Sequence, residues 1–376
     1  MRLLALACAF VLCACSLAPL KPAAKATPSP SPSPASLEAF VPVAEKFVED
    51  HRGLKYKAPV NVTFLADADF VKQLQSKNEI DVAGYATESK VLHALALVAD
   101  HPDLARAEQE LQGSSVVGFY DPDTKQLYVR GVDARASVRH VLVHELTHAL
   151  QDQWFSINRT NPTDDESDIA YRTLVEGDAV RIEDQYIASL SSADQRQIRA
   201  DDAGGGQLPA DVPDVLVELD SFPYIAGPPF AREVVSAAGQ SRLDAAFKDP
   251  PVSTAQVLHS NLFLTGTKPA TVDPPTTGGT TIDKGVLGEL GLDLMMERMV
   301  GNGEMSEATA RTIAGGWSGD RYVAWEQGGQ TCVRDRLVMS GAASTGALLT
   351  ALGRFAADHQ GATVEGSGPV LFTACG

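Results

Sequence analysis

The chain has 376 residues, 44% of them hydrophobic and 21% charged, and a formal net charge of −17. The apolar share is enough for a packed core and excludes an intrinsically disordered chain; the length suits one large domain or two ordinary ones. The acidic balance excludes non-specific nucleic-acid binding, which needs a cationic surface.

Met1 and Arg2 supply a short positive start, and Leu3 to Leu12 is an apolar run too short to span a bilayer as a stable helix. The run ends in LCAC, closing on Cys15. This box resembles a bacterial lipoprotein signal. The resemblance implies cleavage before Cys15, a lipid on its thiol, and a protein that works outside the cytoplasm on a membrane. An ordinary secretory signal peptide is the alternative, and either one means export. Residues 16–36 alternate proline and serine over much of their length, a composition that favours an extended, solvated tether. Of the five cysteines only Cys332 and Cys375 lie outside the first fifteen residues. In an oxidising compartment two cysteines most simply pair, with two buried free thiols as the alternative.

After the tether, Leu37 to His51 carries apolar residues at helical spacing, with Pro42 in the first turns, where it is tolerated. Ala58 to Ala66 alternates like a half-buried strand, and a helix follows to about Gln75. Thr87 to Gln112 reads as two helices parted at His101-Pro102. Ser115 to Gly131 reads as a β-hairpin turning at Asp121 to Lys125. One helix is expected from near Ala134 and another over Asp168 to Leu190. Ala203 to Leu208 reads as a linker. Beyond it helices are expected at Asp214–Leu219, Pro229–Ala238, Ser241–Phe247, Ser253–Leu258, Lys284–Val300, Ser306–Ala314 and Thr345–His359. Strands are expected at Gly319–Gln327, Cys332–Met339 and Val370–Ala374.

The helix after the hairpin contains VLVHELTHALQDQWF, an apolar stretch with His144, Glu145 and His148 in its middle. Residues four apart on a helix lie one turn above each other, so the two imidazoles share a face and can meet one ion. Glu145 is about 100° round from His144, beside that face rather than on it. Two histidine ligands and a nearby free carboxylate are what a zinc hydrolase needs. The next helix offers a third ligand, Glu176, in the otherwise apolar TLVEGDAV; Gly177 beside it permits close approach of two helix backbones. The bland reading, core histidines bonded to backbone, leaves three buried polar groups to satisfy one by one. Asp152 and Asp178 are the nearest further acids; each reads as a solvated surface group, with a place behind the ligands, orienting an imidazole, as the alternative. His140 has no partner pattern and reads as structural or exposed.

HELTH followed on the next helix by EGDA resembles the gluzincins, zinc metallopeptidases with a His-Glu-x-x-His helix and a glutamate third ligand. The resemblance covers about Val116 to Ile187. RGLKYKAPVNVTFL, GFYDPDTKQLYVRG, HELTHALQDQ and PPVSTAQVLH also resemble a group of bacterial exported proteins with no assigned substrate. The gluzincin resemblance implies an α+β chain: a zincin-like catalytic domain over residues 37–200, then a mainly helical C-terminal domain over 210–376. It implies one catalytic Zn2+ on His144, His148 and Glu176, with Glu145 as general base for peptide-bond hydrolysis. It also implies a downstream donor for the developing oxyanion, for which His259, Tyr224 and Tyr322 are the candidates. In such enzymes the strand before the active-site helix pairs with extended substrate; here that would be Gln126 to Arg130. The expected partners are a peptide or protein substrate and, through the lipid anchor, a membrane. Two other readings stay open: a catalytically silent, zinc-containing envelope-binding lipoprotein, and a zinc hydrolase of non-peptide amide bonds.

Overall fold

The computed structural model describes residues 36–77, 80–158, 164–204 and 211–376. The expected signal with Cys15, the tether up to residue 35 and most of the expected linker (205–208) lie outside the described residues. Helix α1 (Leu37–Arg52) starts behind Ser36, whose hydroxyl accepts from the Ala39 amide at 3.2 Å, and Gly53 ends it in the left-handed conformation. Strand β1 (Asn61–Leu65) leads to α2 (Asp67–Lys77), α3 (Val82–Ala94) and α4 (Leu104–Ser115). The hairpin is β2 (Gly118–Asp121) and β3 (Gln126–Arg130), and the Asp121 carboxylate accepts from the Asp123 and Thr124 amides in its turn.

The first sheet has the order β1-β3-β2, with β1 parallel to β3 and β2 antiparallel. This corrects the expectation for Gln126–Arg130. That strand is central, with both ladders taken, and the edge beside the helix that carries His144 and His148 is β2. The partner that fills it, β1, comes from about 65 residues earlier in the chain, a pairing that local pattern does not encode.

Helix α5 (Ala136–Phe155) is buried on nearly every side from Val138 to Asp152. A helix enclosed all round is a core helix, so its polar side chains need partners inside the protein. Helix α6 (Asp165–Ser189) opens with a capping box between Asp164 and Ser167. After α7 (Ser192–Gly204), the segment expected as two short helices is a single one, α8 (Asp214–Ala238), with Pro223, Pro228 and Pro229 inside. Each proline removes a backbone bond; packing against α6 outweighs that loss. Phe222 and Phe230 are buried there, and a Cβ on Gly177 would lie 2.3 Å from the Gly227 carbonyl carbon. The two helices therefore touch backbone to backbone.

Next come α9 (Gln240–Ala246), α10 (Thr254–Leu258), α11 (Ser260–Thr265), β4 (Thr280–Gly285), α12 (Gly288–Gly301) and α13 (Glu307–Ala314). The chain ends with β5 (Trp317–Gln327), β6 (Gln330–Met339), α14 (Ala342–Asp358), β7 (Thr363–Glu365) and β8 (Val370–Cys375). The region expected to be mainly helical thus also carries an antiparallel sheet, order β4-β5-β6-β8-β7. Two of its strands were not expected. One is β4, where the pattern suggested that a helix begins at Lys284. The helix instead starts at Gly288, because the Asp320 carboxylate, distant in sequence, accepts from the Leu287 and Gly288 amides at 2.8 and 3.0 Å. Cys332 and Cys375 face each other across β6 and β8 and are disulfide-bonded.

Both helix and sheet contribute throughout, so the chain is α+β. Its apolar cores cross the stretch expected as a linker. Leu174 of α6 clusters with Phe230 of α8 and Leu290 of α12, while Val91 and Leu95, at the end of α3, pack with Met296 and Phe372 beside the second sheet. Among the described residues no helix is long and apolar enough to cross a membrane.

Candidate metal centre

The i, i+4 spacing on α5 sets His144 above His148, and α6 brings Glu176 against both. The two Nε2 atoms are 2.9 Å apart, and Glu176 Oε2 lies 3.2 Å from each. Three donors about 2.0–2.1 Å from a tetrahedral ion lie roughly 3.3–3.4 Å from one another, so the triangle is close to a zinc site's, slightly contracted. All three residues are at most 2% exposed, and Glu176 Oε2 is aligned for a hydrogen bond with neither imidazole. A buried carboxylate oxygen aimed between two imidazole nitrogens without bonding either fits a shared cation. Among the described residues this is the one group of three or more His, Cys, Asp or Glu whose donor atoms converge in this way.

The outer ring nitrogens are held as well. His144 Nδ1 lies 2.9 Å from Glu183 Oε2, and His148 Nδ1 lies 2.9 Å from Gln151 Oε1. Both partners are acceptors at that atom, so each Nδ1 carries the proton and each Nε2 is free to bind metal. The other oxygen of Glu183 meets His140 Nδ1 at 2.5 Å. Burial pushes the Glu183 carboxyl up, but its bonds to His140 and His144 outweigh that and bring it to about 2.

Sequence reasoning missed Glu183, Gln151 and the role of His140. The signals were present: His140, His144 and His148 form one helical row, and Glu183 follows Glu176 by seven residues, about two turns. They were hard to weigh because acids at that spacing occur on any solvated helix. Asp152 and Asp178 are not the surface acids expected: they are 4% and 0% exposed. Asp152 accepts from the Tyr120 hydroxyl at 2.8 Å and from Lys125 Nζ at 2.6 Å, tying the hairpin to α5. Asp178 accepts from Arg52 and Arg181.

Glu145 stands beside the triangle, 0% exposed; no side chain among the described residues bonds its oxygens, and the Tyr120 backbone amide on β2 favours its charged form. Strand β2 lies directly on it: a Cβ on Gly118 would be 3.0 Å from Glu145 Cγ. Burial lifts the Glu145 carboxyl to about 7, against the pull of His144 and His148. Burial acts on Glu176 too, but the two imidazoles overcome it and hold that carboxyl well below its usual range. Two neighbouring carboxylates are thus driven apart, one towards permanent charge and one towards a proton exchangeable near neutral pH.

The three candidate oxyanion donors separate. Tyr224 is at the site, its ring centroid 6.3 Å from that of His144. It is carried there by the Gly177–Gly227 contact one turn further along α8. Tyr322 is 0% exposed in the second sheet, and its hydroxyl donates to Asp283 at 2.8 Å. His259 pairs with Glu289 at 2.8 Å and lines a different cavity with Gln256, Lys268 and Trp317. Neither is placed to serve His144 or Glu145.

Compared with known proteins, the chain matches no family model, no curated protein and no solved structure.

Proposed function

We propose that this protein is a zinc metallopeptidase of gluzincin type, with a zincin-like catalytic region, that hydrolyses peptide bonds outside the cytoplasm. On this reading it is exported and held at a membrane through Cys15. The observation that carries the proposal is the fully buried carboxylate of Glu145 beside three converging donors. A site with a purely structural ion has no use for such a carboxylate. The residues fit zinc: two imidazoles with fixed Nδ1 protons and one carboxylate leave a fourth position open. Bound zinc would supply a Lewis acid for a carbonyl oxygen and lower the pKa of water to about 7. Glu145, beside the open position, would accept the proton of the attacking water and deliver it to the leaving amine. Tyr224 is the remaining candidate to donate to the developing oxyanion. An extended peptide would lie along β2, the edge strand over Glu145, rather than along Gln126–Arg130.

A second reading has its own support. His144, Glu145, His148 and Glu176 are all at most 2% exposed, as befits a catalytically silent zinc-containing binding protein of the envelope. One experiment separates the two. Zinc content and cleavage of a mixed peptide library are measured for wild type, Glu145→Gln and His148→Ala. The peptidase reading expects about one zinc per wild-type chain. Glu145→Gln should keep the metal and lose about 10²–10⁴-fold in rate, the share of a general base. His148→Ala should lose both. Zinc without cleavage in wild type would leave the silent protein, or a hydrolase of another amide, as the better account; no zinc would sink all three.

A further inference from the structure

Helix α1 places no residue in the metal centre, yet one of its side chains reaches the core around it. Arg52, in the last turn of α1, is 1% exposed. Its Nε donates to Asp178 Oδ2 at 2.6 Å, and its Nη1 lies 2.6 Å from Asp244 Oδ1. Its guanidinium carbon sits 5.6 Å from the ring centroid of Phe155, the last residue of α5, and 6.0 Å from that of Phe247. One planar cation therefore grips the end of α5, the middle of α6 and α9 together. A lysine cannot reproduce that fork.

The contact continues inward. Asp178 Oδ2 also accepts from Gln151 Nε2 at 3.2 Å, and the same amide nitrogen donates to the Val175 carbonyl at 3.0 Å. A glutamine side chain can turn over, exchanging its oxygen and nitrogen with little change of shape. Here the choice is dictated. Two pure acceptors, Asp178 and the Val175 carbonyl, require the nitrogen on their side. The oxygen must then face His148 Nδ1. A reversed amide would present N–H groups to that nitrogen and drive its proton to Nε2, where the ion belongs.

We infer that Arg52 is a positioning residue for the metal centre, holding Asp178 so that Gln151 keeps His148 in the tautomer that binds through Nε2. The inference rests on the metal reading above and deepens it. The route is Arg52, Asp178, Gln151, His148, and it links the docking of the first helix to the capacity of α5 to bind metal.

The test uses the full chain at a temperature where circular dichroism shows every variant folded. Zinc affinity is measured by chelator competition for wild type, Arg52→Lys, Gln151→Leu, Gln151→Glu and Met296→Ala. Nitrogen-15 spectra of the histidine rings are recorded on the zinc-loaded chain. Arg52→Lys and Gln151→Leu should each bind zinc about 10–100-fold more weakly, the usual effect of losing a group behind a ligand. Gln151→Glu keeps an acceptor for Nδ1 but sets a second acceptor against Asp178 and the Val175 carbonyl, so it should also weaken zinc; wild-type affinity there would overturn the role given to the amide. Met296→Ala opens the distant core beside the second sheet and should lower the melting temperature without weakening zinc. At the same zinc concentration the spectra should show His148 bound through Nε2 with its proton on Nδ1 in wild type, and a fraction of rings not bound that way in Arg52→Lys. Wild-type affinity in Arg52→Lys, or equal weakening in Met296→Ala, overturns the positioning role while leaving the metal site standing. A wild-type chain that binds no zinc removes the metal reading itself, and the inference with it.

Discussion

Between α5 and α6, Glu176, Asp178 and Glu183 face cations or imidazoles, whereas in the second sheet Asp320 and Asp335 neighbour one another. Asp178 is 0% exposed and meets Arg52 at 2.6 Å and Arg181 at 2.8 Å. Burial raises its pKa, but the two guanidinium groups prevail and bring it below the ordinary value. Asp335, on β6, is equally buried, and its neighbour is another carboxylate, Asp320. Burial raises its pKa, and the neighbouring Asp320 charge raises it further. The same side chain at the same depth therefore has its charged form favoured in one region and disfavoured in the other. Depth sets the penalty for charge; the partner decides whether the charge survives. Glu176 and Glu183 of the candidate metal centre are of the first kind, their charged forms favoured by the imidazoles beside them.

The largest effect should come from breaking the first region's charge pairing. Asp178→Ala leaves Arg52 and Arg181 buried without that acid and should cost about 3–5 kcal/mol in urea unfolding; a loss under about 1 kcal/mol would mean that the ion network is relaxed by water. Gly177→Ala tests the geometry of the same region without touching charge. Its methyl would meet the Gly227 backbone at 2.3 Å, so α6 and α8 must separate. The expected cost is about 1–3 kcal/mol. The fluorescence of Tyr224 should report its displacement from His144 when compared with a Tyr224→Phe background. An unchanged melting temperature would show that the helices are not in backbone contact.

A subtler difference lies in pH. Asp335 has a raised folded pKa, so the folded state binds more protons than the unfolded chain. Its contribution is fully present below the ordinary value of 3.8 and is lost as pH rises through the folded value. Asp335→Asn should therefore gain on wild type as pH rises. Asp178 has a lowered pKa. Its contribution is present above 3.8 and is lost as pH falls through the folded value, so the deficit of Asp178→Asn should shrink in acid. Denaturation midpoints from pH 3 to about 8 for both variants would show opposite slopes; parallel slopes would dissolve the contrast between the two regions.

Local pattern was enough for the elements around the metal centre and for its donors. The hairpin, the His144–His148 face, Glu176 on the following helix and the backbone approach at Gly177 all follow from side-chain period and residue type, which a linear chain displays directly. The pairing of Cys332 with Cys375 followed from counting. What the chain could not display was everything joined across distance. The placement of β3 at the centre of its sheet depends on β1. The start of α12 depends on Asp320. The single helix α8 depends on packing that outweighs three prolines, where propensity alone reads two helices.

The same division runs through the site. By itself the sequence determined which atoms can bind an ion, because ligand spacing is a property of one helix. Only the tertiary structure decided which of the three oxyanion candidates is present and which acids stand behind the ligands. It also made Asp152 and Asp178 interior groups rather than surface ones. Those outcomes turn on the desolvation of each group and the partner that offsets it. Both are set when α1, α6 and α8 close around α5, and neither is written in any one of them.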